Sequence, residues 1–174
     1  MRGEGDEGVS ERLPTQADWS AAAQAGSERR LAAVGSSLTA SLPAALLQQI
    51  VDAAREDAPN ETVGLLVADR YAGEGGRPTR YLRMTNAAAS PHRYLLDPDE
   101  QLGVMLAIDD ADEVVWGIVH SHVGSLPVPS ATDVGLAFYP DSLYLICSLR
   151  GEVPEVLAWS IRGGEVTEVP LAVG

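Results

Sequence analysis

An apolar run, EVVWGIVHSH over residues 113–122, ends in two of the chain's three histidines, His120 and His122. The run reads as a strand. Side chains alternate along a strand, so the two histidines project to one face if the strand persists through both. Two adjacent imidazoles suit a first-row metal. Zinc takes roughly four ligands at about 2.0–2.2 Å, and catalytic sites keep one position for water. Asp133 could supply a third ligand, because Pro127 and Pro129 stiffen a loop able to turn the chain back. Plainer readings stand beside these. An H-x-H pair can be an ordinary surface or core pair, and Ser130 with Asp133 spells S-x-x-D, a capping box. The two roles of Asp133 are compatible, since a helix's first turn is a rigid mount for a ligand.

Hydrolysis at a metal also needs a base for the water. Glu61 stands where a helix gives way to an apolar strand, so it could be held near the sheet edge. A solvated turn would account for its charge equally well. His92, in SPHRY, reads as a loop histidine.

The rest of the chain surrounds this strand with alternating elements. SLPAALLQQIVDAAREDAP reads as a helix, with Ser41 as cap, Pro43 in the first turn and Leu46, Leu47, Ile50 and Ala54 on one face. Pro59 and Asn60 end it. TVGLLVADR and RYLRMTNAA read as strands joined by a Gly-rich loop. LDPDEQLGVMLAIDDAD reads as a second helix, with Asp97 as cap, Pro98 first and Glu100 completing a capping box. SATDVGLAFY starts a short helix at Ser130, and SLYLICSL, EVLAWSIR and EVTEVPLAV read as closing strands. Strands interleaved with two or three helices predict an α/β or α+β layered fold.

Charge and cysteine usage exclude several functions. The net charge is −13, and all twelve cations are arginines. Residues 1–40 carry six acids and four arginines, leaving the remainder near −11. Such a body repels nucleic acid, and it suits either a basic partner or a merely solvated surface. No run of about 18 apolar residues predicts a membrane span. The N-terminus lacks a basic segment followed by an apolar one, and the stretch after Arg29-Arg30 is broken by Gly, Ser and Pro, so no export signal is read. The single cysteine, Cys147, excludes an internal disulfide, fits a cytoplasmic protein and lies in an apolar strand as an inert thiol. Residues 1–38 read as a mostly disordered tail, with a short helix near 18–33, and residues 39–174 as the folded domain.

Taken together, Glu61 in ETVGLL, then His120, His122, Ser130 and Asp133 at uninterrupted spacing, resemble the JAMM (MPN+) zinc metalloproteases. The resemblance covers about residues 41–170. HRYLLDPDEQL and PSATDVGLAFYPDSLYLICSL are similar to the small prokaryotic members that act on ubiquitin-like sulfur-carrier proteins, and SIRGGEVTEVP to their actinobacterial cysteine-forming branch. Two positions depart from the common pattern: Val123 stands where many members have proline, and Val63 where many have cysteine.

The resemblance implies a single JAB/MPN-like domain, with a central mixed sheet, flanking helices and cytidine-deaminase-like layering. It implies zinc held by His120, His122 and Asp133. Glu61 would orient and deprotonate the attacking water, and Ser130 would hydrogen-bond the oxyanion. The implied partner is a β-grasp carrier ending in Gly-Gly, joined to cysteine or to a lysine amine, and a homodimer is compatible with it. The chain is too short for the insertions with which larger members grip ubiquitin chains. Two competing readings are a catalytically inactive scaffold of the same fold and a DNA-repair-associated relative.

Overall fold

The computed structural model describes residues 38–91 and 93–174. The tail expected before residue 38, its short helix and His92 lie outside the described residues. Eight strands and three helices follow in the order β1 (Ala40–Leu42), α1 (Ala44–Asp57), β2 (Val63–Ala68), β3 (Arg80–Met84), α2 (Pro98–Asp110), β4 (Val114–His122), α3 (Ala131–Gly135), β5 (Leu143–Ser148), β6 (Glu155–Arg162), β7 (Glu165–Val169) and β8 (Leu171–Val173). A 3-10 turn, Ala72–Glu74, interrupts the Gly-rich loop after β2.

Six strands form a mixed sheet in the order β3-β2-β4-β5-β6-β7. Only the β4–β5 pair in it is parallel, and the chain between those two strands carries α3. β4 is buried along nearly its whole length, as its apolar sequence requires of a central strand. Helices cover both faces. Leu46, Ile50 and Ala54 of α1 pack with Trp116, Val119, Leu145 and Cys147 on one face. Ile108 of α2 packs with Val63, Leu65, Val115, Ile118 and Ile146 on the other. Each buried Leu, Ile or Val among them contributes about 1.5–3 kcal/mol by leaving water. This is the α+β architecture expected.

One irregularity decides which way β4 faces. Leu66 pairs with Gly117, but Val67 pairs with Val115, so Trp116 is an extra residue, a β-bulge. Val115 and Ile118, three apart, therefore both face α2, and Trp116 and Val119 both face α1. The Trp116 indole N–H donates to the Gly76 carbonyl at 2.8 Å, which fixes the bulge. Beyond it, ordinary alternation turns His120 and His122 to the α2 face.

Several local expectations are corrected. Ser41 does not cap α1: it is paired with Ala172 in a small parallel sheet of β1 and β8, and Pro43 takes the cap position without a side-chain bond. Asp97 caps α2 through the amides of Asp99 and Glu100. Glu100 does not complete the box, because its carboxylate accepts the Thr85 amide at 2.8 Å. EVTEVPLAV is two strands, since Pro170 lacks the N–H that a continuous ladder needs. RYLRMTNAA is a strand only to Met84. Cys147 is buried, and desolvation pushes its thiol up to about 11, as expected of an inert packing residue.

Candidate metal centre

His120 and His122 are both nearly inaccessible, at 1% and 7% exposure, and their Nε2 atoms lie 3.2 Å apart. The strand does persist through both, which is why they converge. Asp133 arrives from the first turn of α3. Its Oδ1 lies 3.4 Å from Nε2 of His120 and its Oδ2 3.6 Å from Nε2 of His122. The capping-box reading of the S-x-x-D is met, and Asp133 stands beside the imidazoles all the same. Ser130 Oγ accepts the Asp133 amide at 3.2 Å, and the Ser130 amide donates to Asp133 Oδ2 at 2.6 Å. The capping box thus holds the carboxylate in place beside the imidazoles. Ser130 is exposed, and its hydroxyl keeps a proton to donate.

The loop that returns the chain is pinned at three points. Trp159 Nε1 donates to the Pro127 carbonyl at 2.9 Å, and Ser148 Oγ to the Ser125 carbonyl at 2.6 Å. His122 Nδ1 lies 2.7 Å from the Leu126 carbonyl. A carbonyl can only accept, so Nδ1 carries a hydrogen, which leaves Nε2 as the ring atom able to serve as a ligand.

This donor set fits a metal ion. One ligand atom from each of His120, His122 and Asp133 lies within 4.8 Å of the other two, and all three residues are buried. The two imidazole nitrogens, 3.2 Å apart, are close to the edge of a tetrahedron whose corners lie about 2.1 Å from its centre, and each has an Asp133 oxygen within 3.6 Å. Protonation at His120 and Asp133 suits the same end. Burial lowers the pKa of His120, which favours the neutral ring. Burial also opposes the Asp133 charge, but bonding to His120 and His122 outweighs it and holds the carboxyl well below its usual range.

Glu61 closes the site from the neighbouring strand. The β2–β4 register pairs Val63 with His120, and continuing it two residues sets Glu61 opposite His122. Glu61 is 5% exposed. Desolvation raises its carboxyl from 4.5 to about 7, with the Asp133 charge adding and His122 opposing. In the metal-free protein the folded state therefore holds this proton more tightly than the unfolded chain. Its stabilisation is full below pH 4.5 and is lost as pH rises through about 7. Glu61→Gln has no such loss. The metal-free variant should gain stability relative to wild type between pH 5 and pH 8, read by urea denaturation at both.

Three residues near the site were not singled out from sequence. Ser121 faces away from the histidines, and its Oγ accepts the buried Thr62 amide at 2.8 Å. Alternation within H-S-H could have indicated that face. Tyr94 lays its ring 4.7 Å from the His120 ring, tilted by 31°. Asn86 bonds the Glu61 carbonyl at 2.8 Å, in a segment that sequence reading had assigned to a strand.

A mixed sheet covered by helices on both faces, gathering two histidines and an aspartate at the end of its parallel strand pair, defines an α+β domain with a metal-type donor cluster. The chain belongs to the family described as prokaryotic homologs of the JAB domain, which matches residues 43–162. It is similar to the CysO-cysteine peptidase of Mycobacterium tuberculosis, 44% identical over 131 residues, covering 74% of this chain and 86% of that protein. It is also similar to the desampylase of Haloferax volcanii, 36% identical over 138 residues, covering 79% and 95%. Among solved structures, protein DSY2949 from Desulfitobacterium hafniense superposes with a TM-score of 0.69 at 30% identity, covering 78% of this chain and 93% of that one.

Proposed function

We propose that this protein is a zinc-dependent peptidase that hydrolyses the bond after the C-terminal Gly-Gly of a ubiquitin-like sulfur-carrier protein, releasing cysteine or a deconjugated protein amine. His120, His122 and Asp133 hold the zinc. Bound there, zinc supplies Lewis acidity, which acidifies a water molecule and polarises a carbonyl. Glu61 takes a proton from the attacking water and passes it to the leaving amine as the C–N bond breaks. The products are the carrier carboxylate and the free amine. The Ser130 hydroxyl donates to the oxygen that becomes negative as the carbonyl carbon turns tetrahedral. The two named relatives support the substrate class, since one is a CysO-cysteine peptidase and the other a desampylase.

The observation that carries this reading is the placement of Glu61 opposite His122, beside three buried donors with metal spacing. A carboxylate held at that place is within the site to accept a proton and return it. The test is incubation of the zinc-loaded protein with a carrier–cysteine adduct and with a carrier–lysine isopeptide, read by mass spectrometry. Free carrier ending in Gly-Gly is expected. Intact adducts after full zinc loading would leave the inactive-scaffold reading in its place. The acidic body disfavours the DNA-repair alternative. No described helix is long and apolar enough to cross a membrane, and a cytoplasmic site of action suits the single buried thiol.

The catalytic unit in this proposal is residues 39–174. Removal of residues 1–38 should leave kcat/KM within about twofold, because every residue assigned a role lies beyond them. A larger loss on truncation would place part of the substrate site in the tail.

A further inference from the structure

We propose that Asn86 is the positioning residue for Glu61, clamping the base in register with the metal ligands and tying it to the segment that covers His120. The role rests on the assignment of Glu61 as the base. The edge strand β3 pairs with β2 only as far as Met84, opposite Val63. Continuing that register two residues brings Asn86 opposite Glu61, on the other side from His122. There the backbone ladder has stopped, and the Asn86 side chain takes over. Its Nδ2 donates to the Glu61 carbonyl at 2.8 Å and to the Arg93 carbonyl at 3.4 Å. Its Oδ1 accepts the amides of Ala88 and Leu95, each at 3.0 Å. Carbonyls only accept and amides only donate, so these four partners fix which way the amide group points.

The turn that Asn86 organises also grips the other side of Glu61. The Glu61 amide donates to the Ser90 carbonyl at 3.0 Å. Glu61 thus has both backbone groups held by residues 86–90, outside any strand pairing with β3. From the same side chain, the bond to Leu95 holds the residue after Tyr94, whose ring lies against His120. Asn86 therefore fixes the distance between the base and the strap over a metal-site imidazole. Misplacement of a reacting group by about 1 Å can cost on the order of 100-fold in rate, so such a clamp acts on kcat.

Two variants test the clamp. Asn86→Asp keeps an acceptor for Ala88 and Leu95 but sets an oxygen against the Glu61 carbonyl. Asn86→Ala removes both halves. The first measurement is amide hydrogen exchange in the metal-free protein, with Val119 and Leu145 as internal references. The Glu61 amide should exchange about 10-fold faster or more in both variants, with the references unchanged. The second is steady-state kinetics of the zinc-loaded protein on a carrier–cysteine adduct. We expect kcat lower by about 10- to 100-fold, KM within about twofold and zinc content unchanged. Wild-type exchange at Glu61 in both variants overturns the proposal, as does wild-type kcat, or an activity loss that tracks lost zinc. If the wild-type protein binds zinc and cleaves no adduct, the peptidase assignment fails, and the exchange data alone decide whether Asn86 holds Glu61.

Discussion

Glu61→Gln will keep its zinc and lose hydrolysis, with kcat falling by about 10²–10⁴-fold. The substitution preserves shape and leaves all three donors of the His120–His122–Asp133 cluster in place. It removes the only property that the proposed mechanism asks of this position, a carboxylate able to take and return a proton. The backbone clamp should survive as well, since Asn86 and Ser90 bond the Glu61 main chain and not its side chain. Elemental analysis beside kcat makes the expectation strict: about one zinc per chain, with turnover nearly gone. Retained turnover would remove Glu61 from the proton path.

The second large effect is the converse. His122→Ala should lose both zinc and activity, with metal affinity falling beyond the roughly 10–100-fold that loss of a mere outer hydrogen-bond partner costs. His122 is tied to the pinned loop through Leu126, so its loss also frees that carbonyl. Asp133→Asn is the gentler companion. The amide oxygen can still accept the Ser130 amide and keep the cap, but it no longer supplies a charged ligand. Both variants should show no rise in melting temperature when zinc is added, whereas wild type should, because a ligand that binds only the folded state stabilises it. Unchanged metal content in His122→Ala would contradict the ligand assignment.

The cluster was legible in sequence because its parts obey short-range rules. Alternation puts His120 and His122 on one face, and S-x-x-D mounts Asp133 on a helix start. Glu61 was suggested by its place before the first apolar strand and chosen by resemblance, since periodicity cannot choose among the acids of the body. What escaped was settled by partners far away in the chain. Ser41 has a good cap's chemistry, yet it is claimed by a strand near the opposite terminus. Glu100 fits a capping box, yet the Thr85 amide, left without a strand partner where β3 ends, competes for it. Asn86 looked like strand because its neighbours do. Its function comes from being where the strand stops, which only the register with β2 reveals.

The surplus residue at Trp116 makes chain length itself part of the chemistry. The count of residues from Val115 to His120 has the right parity only because one of them stands outside the pairing. Deleting a single residue there would leave composition and hydropathy almost untouched. If that residue is Trp116, the pairing becomes regular, Val115 and both imidazoles keep their faces, and the α1 core loses an indole. For this segment, a one-residue gap at the bulge is compatible with an intact site, whereas one added residue with no second bulge to absorb it would turn both imidazoles toward the α1 core.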